Sequence, residues 1–397
     1  MSEDHPTPLR DRPTLVVAGA YLLLGAVTGS IGPVSDQLRS ELGLSATVTG
    51  FYGSAFGWVL LAAAVGGGPF RRRVGDRRLF GLGLGSIVAA VAVVCVARLV
   101  GPSLAGAVGI GLGATAVVLS GPGIVAARYR HPGERSDAFT FVNALSTAGS
   151  LVAPLTLAAT LALAWGWRLP WFLIAAVVGV GVIVLTVSTE LPVLPPSGEP
   201  AVGPLVVLRR SGSIRRRWLV LVLGIGIEFT ALLWGSTVVQ RLGDASASVG
   251  AVAVGLFGAG MLVGRLVGPA VTRGRDQGVV LRVVFAGALA ATLAFRFLPG
   301  AWPRVAAMAA IGLCVSVIYP YAFNRLYGPR VADAEVSALG AFAAGVAISL
   351  APPLLGAFAD TFGIERAILL APAMAVGALA LLAFGDDGDE LGPSQLR

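Results

Sequence analysis

Twelve times along the chain an apolar stretch of about 20 residues appears, the length an α-helix needs to cross the roughly 30 Å hydrocarbon core of a bilayer. The stretches cover 14–36, 46–70, 79–99, 103–127, 137–163, 169–190, 218–240, 247–271, 279–298, 302–326, 336–358 and 366–384. Hydrocarbon offers the backbone no water, so only helices or strands closed into a barrel can cross it. Barrel strands alternate in hydrophobicity over about ten residues, whereas these stretches stay apolar throughout, which predicts helices. With 56% hydrophobic and 13% charged residues, the 397-residue chain cannot hide its apolar surface in a water-soluble fold, and disordered and disulfide-rich classes are excluded too. Its 54 glycines suit helices whose backbones approach closely. The first stretch is too long for a cleaved leader, follows Arg10 and Arg12 and lacks a small-residue cleavage pattern, so it is expected to be retained.

All 29 basic residues are arginine, and the net charge is +8. Twelve crossings put both termini on one side. On that side lie 21 arginines, seven lie on or facing the other side, and Arg265 falls inside a span. Positive residues stay cytoplasmic, so both termini are expected in the cytoplasm, with the chain a multi-pass protein of the inner (cytoplasmic) membrane. Because these arginines sit in short loops between apolar spans, they read as topology determinants in contact with the lipid bilayer; no nucleic-acid partner is expected. Cys95 and Cys314 stand 219 positions apart, neither a metal spacing nor a redox pair, and read as small buried apolar residues.

Between 191 and 217 the apolar pattern breaks at Pro192, Pro195, Pro196, Pro200 and Pro204 and then two arginine clusters. The chain therefore divides into a tail (1–13), a six-helix bundle (14–190), a linker (191–217), a second six-helix bundle (218–384) and a tail (385–397), with tails and linker cytoplasmic. The halves repeat each other. Gly68-Pro69, Arg73 and Asp76 recur at Gly268-Pro269, Arg273 and Asp276, an offset of 200; Ala153-Pro154 and Arg168 recur at Ala351-Pro352 and Arg366, an offset of 198. The expected fold is an all-α integral membrane protein whose twelve transmembrane helices form two pseudo-symmetric six-helix bundles.

The loop Gly68-Pro69-Phe70-Arg71-Arg72-Arg73-Val74-Gly75-Asp76-Arg77-Arg78 is similar to the signature loop of the major facilitator superfamily, G-x-L-a-D-r-x-G-r-r, through Gly68, Arg73, Gly75, Arg77 and Arg78. Arg72 stands where the family carries Asp. Gly111-Leu112-Gly113, Pro132-Gly133-Glu134-Arg135, Gly166-Trp167-Arg168 and the stretch from Pro352 to Gly363 add weaker similarities in the family's order. On these grounds the chain resembles that superfamily over about residues 14–384. The resemblance implies a transporter, a central cavity lined by helices 1, 4, 7 and 10, and a gating loop containing Gly68, Arg73, Gly75, Asp76 and Arg77. Gly149-x-x-x-Ala153-Pro154 partly matches the helix-5 antiporter motif of drug exporters, with Leu157-Ala158 in place of its closing glycine pair, and favours export. Gly32-Pro33-Val34-Ser35-Asp36-Gln37-Leu38 with Leu44-Ser45-Ala46 is similar to the start of cyanate-type permeases and favours uptake.

Transport by alternating access needs a group whose protonation changes with exposure. Twenty of the 21 acidic residues lie in loops or at span ends; Glu228 is the exception. Ten residues from Trp218, it sits about 15 Å into its span, half the depth of the hydrocarbon. A charge there costs roughly 2.5–3.5 kcal/mol on insertion scales, so such a residue stays neutral, paired or beside water. Glu228 is therefore the candidate for proton coupling or substrate binding; the alternative is a structural hydrogen-bonding residue or a static partner of Arg265. Gly224, Ala231 and Gly235 share its helix face and leave room for solute or for a neighbouring helix. Arg265 is expected to snorkel to the interface, with an anion site as the alternative. Polar stripes mark inward faces: Tyr21, Gly25, Thr28 and Gly32 in the first span, Thr140, Asn143, Thr147 and Ser150 in the fifth. Tyr21, Thr28, Thr140, Asn143, Trp234, Tyr319 and Asn324 are the cavity candidates, the last two flanking Pro320.

The expected function is a secondary active transporter of a small organic solute, coupled to protons, with export favoured; the alternative is an uptake permease or passive facilitator for a small organic anion or metabolite. The expected partners are solute, protons and lipid, with a monomer as the functional unit. An enzyme would need paired catalytic groups within the membrane, and none is present. The absence of lysine removes the P-loop and with it ATP-driven transport by this chain alone; no cofactor is expected.

Overall fold

The computed structural model describes residues 11–129, 131–192, 202–327, 331 and 333–384. Most of the expected tails, at 1–10 and 385–397, and the middle of the linker, at 193–201, lie outside the described residues. The chain is all-α. The first half contains α1 (Arg12–Gly29), α2 (Ile31–Leu42), α3 (Ala46–Gly66), α4 (Gly68–Val74), α5 (Asp76–Val96), α6 (Val100–Arg128), α7 (Pro132–Ala162) and α8 (Arg168–Val187). The second contains α9 (Pro204–Arg209), α10 (Gly212–Gly243), α11 (Ala247–Thr272), α12 (Gln277–Phe297), α13 (Ala301–Asn324), α14 (Asp333–Phe362), α15 (Ile364–Ala367) and α16 (Leu370–Ala383). With α15 and α16 taken as one, twelve of these are long and apolar enough to cross a membrane. The crossings alternate in direction, so the first and last ends share one face, called the terminal face below.

The helix starts carry their own signals. Asp11 accepts from the Thr14 N–H and precedes the Arg12-Pro13 opening of α1, while Ser45, Ser246 and Asp276 cap α3, α11 and α12 by accepting from Val48, Val249 and Val279. Two expected spans are interrupted. The first breaks at Ser30, whose hydroxyl accepts from the Trp171 indole (2.8 Å), and the chain continues as α2 until Gly43, at φ +64°, ends it. The twelfth breaks at Ile368-Leu369, just before Pro372, whose missing N–H suits the first turn of α16. Part of the expected linker is helical as well, because α9 forms and α10 starts at Gly212, six residues before the apolar stretch.

Two separate hydrophobic cores stand behind the two bundles. One is built wholly from residues between Val16 and Leu191, the other from residues beyond Val207 with the single addition of Ala46. The packing pairs repeat between the halves: α1 against α7, α5 against α6 and α3 against α6 correspond to α10 against α14, α12 against α13 and α11 against α13. Across the halves, α3 meets α14, α7 meets α11, and α2 meets α10. Large apolar side chains such as Val96, Val177, Leu266 and Val283 face outward, each more than half exposed, forming the surface that lipid covers. Trp165 and Trp302 are also exposed, at the face away from the termini, where amphipathic rings favour a headgroup level. Cys95 is buried and Cys314 half-buried.

The repeated residues fall at equivalent places and do different work. Asp76 opens α5 and Asp276 caps α12, but Pro69 opens the short α4 whereas Pro269 lies inside an uninterrupted α11. Arg168 donates to the carbonyls of Cys95 (2.7 Å) and Ala97 (3.0 Å) and to Glu41, tying α2, α5 and α8 together on the face away from the termini. Burial opposes the charge on Glu41, yet hydrogen bonds from Trp167 and Arg168 and the field of Arg168 and Arg98 outweigh it and hold the carboxyl below the usual range.

Candidate functional site

Glu228 lies sixteen residues from the start of α10 and fifteen from its end, at the middle of a 32-residue helix, and is half-buried. The glycines on its helix face are filled by a neighbour: a Cβ on Gly224 would sit 2.3 Å from Ile318 and one on Gly235 2.3 Å from Met308, so both seat α13 against α10. Glu228 itself faces Arg265 of α11 and Tyr319 of α13 electrostatically, and Tyr319 in turn faces Tyr21 of α1. Four helices, two of them from the first and seventh crossings, thus bring an acid, a guanidinium and two phenols to one centre. The acid and the guanidinium form no direct ion pair.

Arg265 does not snorkel. Its Nη1 donates to Thr147 Oγ1 and to the Asn143 carbonyl (3.5 Å), both on α7 of the other half. The physical reason is geometry: α11 packs along α7, so polar oxygens lie nearer to the guanidinium than the headgroup level does. This contact also fixes which face of α7 turns inward. Thr140 and Asn143 stand on the same face as Thr147, and both are exposed. Their side chains donate back to their own helix, Thr140 to Ser136 (2.9 Å) and Asn143 to Phe139 (2.8 Å), which leaves the Asn143 side-chain oxygen to accept.

Tyr319 is 41% exposed and stacks on Phe323 at 5.6 Å, while Asn324 is exposed as the last residue of α13. Arg265, Thr140, Asn143, Tyr319 and Asn324 all belong to the ends of their helices nearer the terminal face, and all are exposed. Exposed polar side chains of both halves therefore lie on the terminal side of Glu228. Thr28 lies deeper, on the wall of a small apolar pocket, about 20 Å³, formed by Val27, Tyr52, Phe56 and Ile110 of the first half and Phe229 of the second. Trp234 is a correction to the cavity candidates. It is fully enclosed in the second core, with its indole N–H donating to the Pro352 carbonyl (3.1 Å), because α14 packs over it.

On the opposite face the halves are latched by two carboxylates that the sequence reading passed over. Asp36 on α2 accepts from Thr237 and from Gln240 (3.0 Å) on α10. Reciprocally, Asp360 of α14 accepts from the N–H groups of Ala46 (2.7 Å) and Thr47 (2.8 Å) and from the Thr47 hydroxyl (2.6 Å), where the positive end of the α3 dipole favours a carboxylate. On the terminal side the halves are joined by the bonds of Arg265 to Thr147 and to the Asn143 carbonyl. The spacing of Asp36 from Gly32, and of Asp360 from Gly356, each four residues along a helix, is the signal that marked these latches: a glycine for close approach and an acid one turn on.

The expected gating loop is arranged around an ion pair of Asp76 with Arg71. Arg71 holds Asp76 through two bonds, Nε at 2.7 Å and Nη2 at 2.9 Å, whereas Arg73 and Arg77 are exposed. Gly68 starts α4, and Gly75 adopts φ +79° and ψ 149°, a region almost closed to other residues. Its Cβ would meet nothing within 4 Å, so the only penalty for a side chain there is conformational. Gly75→Ala is expected to cost about 1–3 kcal/mol, read as a lower melting temperature of the purified protein; an unchanged transition would show that the turn tolerates a Cβ.

Comparison with known proteins agrees with this architecture. Residues 17–333 match the sequence profile of the Major Facilitator Superfamily. A bacterial homolog to the human lysosomal transporter Spinster, in its inward-facing and unoccupied conformation, superposes with a TM-score of 0.72 at 17% identity, covering 95% of this chain and 97% of that one. The same homolog in an inward-facing and occupied conformation gives 0.71 at 14% identity over 94% and 95%. No curated protein sequence matches the chain. The chain belongs to the Major Facilitator Superfamily and is a multi-pass membrane protein of the secondary-transporter class.

Proposed function

We propose that this protein is a proton-coupled secondary transporter of a small organic solute, that its termini face the cytoplasm, and that it is seen here open to that side. The carrying observation is Glu228, an acid at mid-helix within the electrostatic reach of Arg265 and Tyr319, beside the contact of Arg265 with the other half. A carboxyl so placed gains or loses water as the halves rock, and its protonation changes with that exposure. The excess of arginines on the terminal face supports a cytoplasmic orientation and residence in the cytoplasmic membrane. The helix-5 similarity that favoured export has a packing account, since a Cβ on Gly149 would lie 2.2 Å from the Leu22 carbonyl of α1. It therefore carries no direction of transport.

The test is a melting-temperature screen of the purified protein against metabolites and antibiotics at two pH values, followed by flux of the hit into proteoliposomes. Binding that depends on pH, and flux driven uphill by a pH gradient, are expected. Flux indifferent to both pH and uncouplers would instead establish a passive facilitator. Within the same assay, Asn143→Ala is expected to weaken apparent affinity about fivefold, the worth of one hydrogen bond near 1 kcal/mol, with the amount of folded protein unchanged. Equal losses of affinity and of protein would assign Asn143 to packing.

A further inference from the structure

Arg265 keeps its charge under any working condition. Its hydrogen bonds go to neutral oxygens alone, Thr147 Oγ1 and the Asn143 carbonyl, and both are made by Nη1. Among the described residues no hydrogen bond is made by the Nε–Nη2 edge, the fork that grips carboxylate or phosphate in a two-bonded fashion. Glu228, the acid that faces this guanidinium, stays beyond ion-pair distance. Across the centre stand the Tyr21 and Tyr319 hydroxyls, both able to donate to an anion.

We infer that the transported solute is an organic anion: its carboxylate or phosphate docks on the free edge of Arg265, and Glu228 competes with it for the same positive charge. This inference rests on the reading of the Glu228 centre as the transport site and adds the solute class and the direction. When Glu228 is ionised, it and the solute repel each other and contend for one guanidinium; when it is protonated, the guanidinium is left to the solute. Proton and anion thus favour each other's binding, by the same factor in each direction. Partners that bind together cross together, so an inward proton gradient drives uptake.

The test uses the full-length protein in lipid nanodiscs and four probes sharing one apolar body: naphthalene-1-carboxylate, naphthyl phosphate, naphthalene-1-carboxamide and naphthylmethylammonium, titrated at pH 6 and pH 8. At least one of the two anions is expected to bind tenfold or more tightly than the amide and the ammonium, with the tighter one naming the anionic group, and to bind more tightly at pH 6. Arg265→Gln is expected to lose that preference, and Arg265→Lys to keep part of it. Glu228→Gln is expected to bind the anion at least as tightly as the parent and equally at both pH values, a readout that stands even where Arg265→Gln fails to fold. Preference for the ammonium, equal binding of anion and amide, absence of binding by either anion, or an Arg265→Gln protein that binds like the parent would each overturn the inference. Failure of the underlying reading looks different: anion selectivity would persist while Glu228→Gln still accumulated solute under a proton gradient.

Discussion

Replacing Glu228 by glutamine is expected to collapse solute accumulation in proteoliposomes to equilibrium while exchange of labelled for unlabelled solute continues. A gradient of one pH unit supplies about 1.4 kcal/mol per proton, enough to sustain about tenfold accumulation at a one-to-one ratio. Glutamine keeps the shape and hydrogen-bonding capacity of a protonated carboxyl but cannot release a proton, so the energy source is disconnected while the rocking motion is left intact. The groups facing the site, Arg265 and Tyr319, remain to hold the solute. Accumulation ratios near one in the variant, against about ten in the parent, are the expected reading. Retained accumulation would remove Glu228 from the coupling step and return it to a packing or hydrogen-bonding role.

The second large effect is expected at the contact of α3 with α14. A Cβ on Gly356 would lie 2.4 Å from the Ala46 carbonyl, and Asp360, one turn away on the same face, accepts from the first N–H groups of α3. Gly356→Leu forces these backbones apart and breaks the bonds beside them, so the arrangement closed at the face away from the termini is disfavoured. Asp360→Asn, which keeps the volume but loses the charge, is expected to act the same way to a smaller degree, since this carboxylate is exposed to solvent. The shift is measurable with a single cysteine at Thr49, now buried in the first turn of α3, after Cys95 and Cys314 are replaced by alanine. Labelling of Thr49→Cys by a membrane-impermeant maleimide is expected to rise about tenfold in the Gly356→Leu background, which corresponds to about 1.4 kcal/mol between the two arrangements. Unchanged labelling would mean that the contact survives in both states.

The spans were legible because hydrophobic length is a local property: the stretches 247–271 and 302–326 appear as Ala247–Thr272 and Ala301–Asn324. The break at Ser30 was not, since the hydroxyl at that break serves Trp171, 141 positions away. The centre divides in the same way. A lone acid in an apolar run announces itself, so Glu228 could be singled out, but where Arg265 reaches depends on Thr147, 118 positions earlier. Asp36 and Asp360 look like ordinary solvated ends of spans and gain meaning only once α10 and α3 lie against them. Trp234 illustrates the opposite error: a polar-edged aromatic on a cavity helix can as well be turned toward its own bundle, and here Pro352 receives its N–H.

The near-complete division of buried apolar residues, with only Ala46 of the first half placed in the second half's core, has a consequence for endurance. Swinging one half against the other disturbs a seam of glycines and a few polar clasps and leaves each interior intact, so the work of one cycle stays far below what dismantling either half would require. A machine jointed in this way can repeat its stroke indefinitely without passing through a partly melted form.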